Sequence, residues 1–539
     1  MYCFHCAKRQ GKTNHSAKSS VSLLFFIFAL LLLFASAGCS KENEDILNQQ
    51  KSGQTDNCSE GAVVLGDEII DPYRLETMQA ALEKLDYSNP PVTNITANFK
   101  YVRIKPADES QLDLLQSDTS LVLWPYPLNY EIKTNGTYYH DPTIPDGELT
   151  WQYGVVPVNY QFPVGSDVQQ IYQVFIPPID GGDFYEALED KAYEIAGVGS
   201  EDDGKGSKWT PSATIKAYDD VAGAFMPLAG VLVRARYGTN VATATTDQNG
   251  CCRMTRQFKK NVNYSIKWET AYWDIRDGAL GQAFYNGPNM RGAWTLNIAK
   301  NGKSILFATA HRAAYKFFYG NCLGIQRPIL TFGKTKIGVI DNSPSWRAGC
   351  CWGTWSLLGA LPDILVASPH SSRTDAVFGI AIHELAHQSH LLFVNKVTYI
   401  QLAKEIHESW AAAAAWAITN HHYRTDLYNY TNGYYTFNKT YQSWPSGYNF
   451  GNNRYSCYTP LFIDLMDDYN QRAETQNSAY PDDRISGYTL SYIQNNILVS
   501  SYGLSSFRDA LKAHKINGTT DDDIDRLLEL YWDKTLDRH

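Results

Sequence analysis

The chain has 539 residues, 44% hydrophobic and 19% charged, so most of it can bury a core and a largely disordered protein is excluded. Lysine and arginine number 47 against 56 aspartate and glutamate residues, and this net charge of −9 argues against a highly basic nucleic-acid-binding protein. The length suits about three domains of ordinary size. Aromatic residues are frequent, with 36 Tyr, 22 Phe and 13 Trp, which suits extracellular surfaces that contact peptide or sugar.

The N-terminus combines a basic stretch, an apolar run and a segment of small residues. Lys8 and Arg9 belong to the basic stretch, and residues 23–34 form the unbroken apolar run. This run is short for a permanent membrane span, and the small residues after it predict a secretory signal. The segment 36–39, Ser-Ala-Gly-Cys, resembles the lipobox of bacterial lipoproteins. The resemblance implies that Cys39 is acylated and becomes the mature N-terminus; the alternative is an ordinary signal peptide with a chance cysteine.

We therefore predict a signal peptide at residues 1–38 and a solvated acidic tether at residues 39–60. Removal of the signal peptide takes away four positive charges and no negative ones, which changes the net charge from −9 to −13. A lipid anchor on Cys39 would hold the rest of the chain in water beside a membrane. The predicted location is that of an outer membrane lipoprotein, facing either the periplasm or the cell surface.

Residues 61–208 predict an N-terminal α+β domain. A helix is expected over residues 73–85, and strands over residues 101–104 and 120–124, with proline-rich breaks between such stretches. No motif with recognisable chemistry stands out in this part of the sequence. The Gly-, Asp- and Lys-containing run 197–208 is a candidate linker.

Residues 209–275 predict a small β-sandwich. Val231, Val233 and Ala235 alternate with longer side chains, which is the period of a strand, and Asp247 to Gly250 form a turn that suits positive φ at Gly250. The pattern Pro-x-x-Gly-Val-x-Val followed by Thr-Asp-x-x-Gly resembles the prealbumin-like, carboxypeptidase-regulatory type of β-sandwich. That resemblance implies a stalk or spacer and no active site.

Residues 276–539 predict a mainly helical C-terminal domain with some strands. Helices are expected over 305–318, 398–420, 505–515 and 520–532, and strands over 335–340 and 363–367. The predicted fold class is therefore multidomain: an N-terminal α+β domain, a small β-sandwich, and a C-terminal zincin-like α+β catalytic domain that is mainly α.

The segment 376–388 carries the most informative motif of the chain. Its apolar residues predict a helix, on which His383 and His387, four positions apart, share a face and can bind one metal ion. Glu384 projects beside that ion and can accept a proton from a metal-bound water. This H-E-x-x-H pattern resembles that of zinc metallopeptidases, which implies Zn²⁺ as the cofactor. The competing interpretation is an amphipathic helix with exposed histidines.

A third metal ligand is expected downstream, because catalytic zinc usually has three protein ligands. Glu408 follows His387 with 20 residues between them, and the stretch 408–411, Glu-Ser-Trp-Ala, resembles the Asn-Glu-Gly-Phe-Ala segment of gluzincin aminopeptidases. The resemblance implies that Glu408 is the third zinc ligand. The competing candidates are Glu405 one turn earlier, the adjacent His407, and His390 three residues after the motif. Metzincin geometry is excluded, since His390 and Phe393 stand where that pattern requires Gly and His.

The predicted function is a zinc-dependent peptidase that acts on peptide, protein or glycoprotein substrates outside the cytoplasm. An additional oxyanion donor is expected, and the candidates are Tyr455 and Tyr458. They lie in the Tyr-rich segment 428–458, which is a candidate substrate groove. The absence of a Gly-x-Met-Glu-Asn segment before His383 favours an endopeptidase over an aminopeptidase. The alternative function is a surface adhesin or glycan-binding lipoprotein with a vestigial peptidase-like domain.

Overall fold

A computed structural model describes most of the chain after the predicted tether, and the described residues belong to one compact unit. The described residues are 61–118, 120–145, 148–198, 208–278, 281–330, 333–341, 349–350, 362–394, 399, 402–426, 459–478 and 480–531. The predicted signal peptide, Cys39, the tether and most of the linker 197–208 lie outside these ranges. Among the helices in these ranges, none is long and apolar enough to cross a membrane.

The N-terminal region is built from two small sheets and three helices. Its elements are β1 (Val64–Glu68), α1 (Leu75–Lys84), β2 (Phe99–Lys105), α2 (Glu109–Ser117), β3 (Tyr130–Thr134), β4 (Gln152–Pro157), β5 (Asp167–Val174) and α3 (Gly182–Ile195). Strand β1 pairs antiparallel with β3, and β2 lies between β4 and β5 with antiparallel pairing on both sides. The helices α1 and α3 pack on each other and share a buried aromatic core with these strands.

The strand expected over residues 120–124 does not form. Only Trp124 makes an isolated bridge there, to Tyr153 on β4. Pro125 follows Trp124 directly, and proline has no N–H to donate to a ladder, so the pairing cannot continue beyond Trp124.

The middle region contains two four-stranded sheets. Its strands are β6 (Ser212–Asp219), β7 (Ala224–Pro227), β8 (Leu232–Tyr237), β9 (Asn240–Thr245), β10 (Cys251–Arg253), β11 (Val262–Lys267), β14 (Phe284–Met290) and β15 (Trp294–Ile298). One sheet has β6 between β10 and β15, with β7 also on β6, and the other has the order β14-β11-β8-β9. Gly250 has φ +73°, as the turn predicts, and a Cβ there would lie 2.4 Å from the Ile215 carbonyl oxygen.

A five-stranded sheet connects the middle region with the C-terminal half. It consists of β12 (Trp273–Asp277), β13 (Gly281–Gln282), β16 (Thr335–Asp341), β17 (Gly349–Cys350) and β18 (Ile364–Ser368), in the order β13-β12-β16-β18-β17. The three central strands run parallel. The predicted boundary between residues 275 and 276 falls inside β12. The chain then returns to the middle region, where β14 pairs with β11 and β15 pairs with β6, so the two regions are interleaved.

Helices dominate the C-terminal half. They are α4 (Ser304–Tyr319), α5 (Thr374–Val394), α6 (Lys404–His421), α7 (Leu461–Asp464), α8 (Gln471–Thr475), α9 (Leu490–Tyr492), α10 (Leu504–Ala513) and α11 (Asp521–Tyr531). Helix α5 packs against α4, α6 and strand β18. The buried alanines 411–415 on α6 allow close approach between helices, and one hydrophobic cluster joins these helices to both middle sheets. The chain therefore has the mixed α/β architecture with several sheets that the sequence predicts.

Candidate metal centre

Helix α5 carries the H-E-x-x-H segment and is buried over most of its surface. Val377, Phe378 and Ile382 are at most 1% exposed, and a helix that is apolar on nearly every side is stable only inside a core. Its first residue is held by the segment after β6: the Thr374 N–H donates to Asp220 Oδ2 at 2.8 Å, and the Asp220 N–H donates to Thr374 Oγ1 at 2.8 Å. These reciprocal bonds satisfy a donor that a helix start leaves unpaired.

Three predicted ligand atoms converge at the contact between α5 and α6. His383 Nε2 and His387 Nε2 are 3.0 Å apart. Glu408 Oε2 lies 3.3 Å from the first of these nitrogens and 3.5 Å from the second. The His387 side chain is buried, while those of His383 and Glu408 are 23% and 37% exposed, so solvent reaches the group from one side.

The dimensions of this triangle fit the ligand set of a zinc ion. Ligands about 2.0–2.1 Å from a tetrahedral ion lie about 3.3–3.4 Å from one another, and the edges here measure 3.0, 3.3 and 3.5 Å. Two imidazole nitrogens and one carboxylate oxygen are also the donor types that zinc takes in catalytic sites, with a fourth position left open.

Glu384 lies beside the triangle with its carboxyl group buried. Its side chain is 3% exposed, and its Oε2 has no hydrogen-bond partner among the described residues. Burial raises the pKa of Glu384 to about 8, with Glu408 adding to the increase and His383 opposing it. A buried carboxyl oxygen without a protein donor is available to a water or a substrate group, and a nearby cation would favour its ionised form.

The three converging groups influence one another electrostatically. Burial favours neutral His383, but its hydrogen bond to Glu408 and the charges of both glutamates outweigh burial and raise its pKa. Burial lowers the pKa of His387 in spite of Glu408. Burial alone would raise the pKa of Glu408. The imidazoles of His387 and His383 outweigh burial and hold the pKa of Glu408 well below its ordinary value. The carboxylate of Glu408 is therefore ionised, as a metal ligand has to be.

Tyr399 is a residue of this centre that the sequence analysis missed. Its hydroxyl group lies 3.0 Å from His387 Nδ1, on the far side of the ring from the triangle. The phenol ring is buried and stacks on the ring of His407 at 4.1 Å between centroids. A partner on the second nitrogen of a ligating histidine fixes the ring orientation and the tautomer. No local pattern singles out Tyr399, because its role depends on how the chain folds back between α5 and α6.

The remaining candidates lie apart from the triangle or outside the described residues. Glu405 does not belong to the converging group of ligand atoms. His390 is fully buried with neither ring nitrogen hydrogen-bonded in the described structure, and its ring packs edge-on against Tyr399. Tyr455, Tyr458 and the whole of the candidate groove, residues 428–458, lie outside the described residues.

A second group of potential ligands is purely acidic. Asp464, Asp467 and Asp483 bring carboxylate oxygens within 4.8 Å of one another. Asp464 accepts hydrogen bonds from Gln471 Nε2 and from the Tyr531 hydroxyl group, which gives this group a place in the packing of the C-terminal helices.

No protein-family model, curated protein or solved structure matches the chain.

Proposed function

We propose that the chain is a zinc-dependent peptidase of the gluzincin type. The observation that carries the proposal is the convergence of His383 Nε2, His387 Nε2 and Glu408 Oε2 beside the buried carboxyl group of Glu384. A zinc ion held by these three ligands would supply Lewis-acid chemistry and a water of lowered pKa.

Each residue of the centre has a distinct role in this proposal. Glu384 acts as the general base, because its Oε2 is buried without a protein partner and can accept a proton from water. The same carboxyl group can then return the proton to the amine that leaves the cleaved peptide bond. His383, His387 and Glu408 hold the ion, and Tyr399 orients the imidazole of His387 through Nδ1.

The finer architecture and the location are part of the same proposal. The two middle sheets form the prealbumin-like sandwich, and the sheet β13-β12-β16-β18-β17 with α4, α5 and α6 forms the zincin-like catalytic half. Cys39 carries the lipid that anchors the protein to the outer membrane, so its substrates are peptides or proteins, including glycoproteins, outside the cytoplasm. Mass spectrometry of the mature N-terminus tests the anchor, since an unmodified Cys39 would contradict it.

The substitution Glu384→Gln tests the peptidase directly. The amide keeps the size of the side chain but cannot accept a proton, so hydrolysis of a quenched peptide library should fall about 10²–10⁴-fold. Zinc content, measured by elemental analysis of the purified full chain, should stay at one ion per chain because Glu384 is not a ligand in the proposal.

Two further substitutions on α6 separate the proposed metal ligand Glu408 from its neighbour Glu405, which serves as the control. Glu408→Gln should lose zinc, whereas Glu405→Gln, one turn earlier and outside the triangle, should keep both zinc and hydrolysis. Unchanged hydrolysis in Glu384→Gln would refute the assignment of the base. Wild-type protein without stoichiometric metal would instead favour an adhesin with a vestigial centre.

A further inference from the structure

The N-terminal region contains an open cleft between its two sheets. The cleft has a volume of about 510 Å³, within the range of about 300–1,000 Å³ that is usual for ligand pockets. Strands β1 and β3 line one side, strands β2, β4 and β5 line the other, and the segment Tyr139–Pro142 contributes a further part of the wall. The residues that line it are all different from those of the metal centre.

One wall presents a preformed row of polar side chains. Arg103 on β2 pairs in register with Tyr153 on β4 and with Gln169 on β5, so the three side chains project from the same face of the sheet. Arg103 Nε and Nη2 both donate to Gln169 Oε1, at 2.9 and 2.7 Å. The guanidinium group also lies 4.3 Å from the ring centroid of Trp151. These contacts fix the row before any ligand arrives.

The other lining groups add acceptors and a further phenol. Glu68 on β1 is positioned by Asn129, whose Nδ2 donates to Glu68 Oε1 at 2.7 Å. Asp141 is 9% exposed. Burial, followed by the charge of Asp141, raises the pKa of Tyr139 to about 12 and also raises that of Tyr153. Both phenols therefore keep their protons at neutral pH and can donate as well as accept hydrogen bonds.

The chemistry of the lining discriminates between ligand classes. An anion would meet the carboxylates of Glu68 and Asp141, and a cation would meet the guanidinium group of Arg103. A neutral ligand with many hydroxyl groups satisfies donors and acceptors alike without adding a charge, and its C–H faces can lie on tyrosine rings. We propose that this cleft binds a neutral saccharide unit of a glycan, independently of the metal centre.

Binding of neutral sugars by the full chain tests this proposal. The probes are glucose, galactose, mannose, N-acetylglucosamine, N-acetylgalactosamine and their β-linked disaccharides, screened by saturation-transfer NMR and titrated by calorimetry. At least one probe should bind, and Tyr139→Ala should weaken that binding about tenfold, because an aromatic face of the cleft is removed.

Three further variants make the test specific. Gln169 is exposed, so Gln169→Ala should weaken binding severalfold without affecting folding, and this variant keeps the test valid if Tyr139→Ala fails to fold. Tyr138→Ala is the matched control, because its side chain is 44% exposed and does not line the cleft. His383→Ala should bind sugar as the wild type does, whatever its peptidase activity. The proposal is overturned if no probe binds, or if Gln169→Ala and a folded Tyr139→Ala both bind as tightly as the wild type.

Discussion

We expect Tyr399 to tune the zinc affinity of the proposed centre without contacting the ion. Its hydroxyl group lies 3.0 Å from His387 Nδ1, while the ring stacks on His407. Tyr399→Phe removes the hydroxyl group and keeps the stacked ring. We expect the zinc dissociation constant, measured by competition with a chromophoric chelator, to rise about tenfold, because partners of ligating histidines typically contribute about 10–100-fold.

The control for Tyr399→Phe is the same substitution at an exposed tyrosine. Tyr502 is 59% exposed, and Tyr502→Phe should leave the dissociation constant unchanged. A merely structural role for Tyr399 would lower the melting temperature of the zinc-free protein while leaving zinc affinity intact, and that result would refute the positioning role.

The residues of the centre differ in how far the sequence could predict them. His383 and His387 follow from local helix periodicity, because positions i and i+4 share a face wherever the helix forms. Glu384 follows from its place in the H-E-x-x-H motif. Glu408 required a resemblance over four residues in addition to its spacing. Tyr399 carries no such signal, since its contact with His387 arises from the packing of the chain after α5 ends, which no periodicity encodes.

Asp464 and Asp483 are buried carboxyl groups that lie close together, and we expect this arrangement to link the stability of the C-terminal helices to pH. Burial raises the pKa of Asp483, and the charges of Asp464 and Asp467 add to the increase in spite of a hydrogen bond from the Ile485 N–H. A carboxyl group whose pKa is higher in the folded than in the unfolded chain holds its proton longer when folded. Its contribution to stability is therefore present below the unfolded value of 3.8 and decreases as the pH rises above it.

Asp483→Asn should remove this decrease in stability at higher pH. We expect the free energy of unfolding to increase by more than about 1 kcal/mol near pH 8 and to change little near pH 4, measured by urea denaturation at both pH values. The neighbouring Asp482 has a lowered pKa through Asn470 and Arg484, so Asp482→Asn should have the opposite sign near pH 8. Destabilisation by Asp483→Asn near pH 8 would contradict this link between the buried carboxyl group and stability.

Local patterns predict many of the strands and helices, whereas the pairing of distant segments leaves no local signal. The alternation in β8 and the apolar run of β16 predict strands, and both are present. The pairing of β12 with β16, and the return of β14 and β15 to the middle sheets, connect segments far apart in sequence. Hydrophobic alternation indicates which side of a strand is buried but not which strand lies beside it. The sequence therefore could not reveal that the predicted domain boundary at residue 276 falls inside a strand of a sheet that joins the two regions.

The middle sheets pack against the helices that carry the metal centre, which a separate spacer domain would not do. One hydrophobic cluster contains residues from both middle sheets and from α4, α5 and α6. At its edge, Asp219 is fully buried and accepts hydrogen bonds from Arg312 on α4 and from the Tyr423 hydroxyl group. The next residue, Asp220, binds the first N–H of α5 and pairs with Lys300 at 2.8 Å. The middle sheets therefore form part of the scaffold that holds the H-E-x-x-H helix.

Because Asp220 binds the first N–H of α5, we expect the loss of its carboxylate to destabilise the proposed zinc site as well. Asp220→Ala removes the acceptor for Thr374 N–H and the partner of Lys300, at a cost of about 1–2 kcal/mol in stability. Zinc release, followed by a chelating dye during heating, and loss of circular dichroism should shift together to lower temperature by several degrees, roughly 2–4 °C per kcal/mol. The exposed Asp180 supplies the control, Asp180→Ala, which should shift neither signal. If circular dichroism shifted while zinc release did not, the middle sheets would unfold independently of α5, and the spacer interpretation would stand.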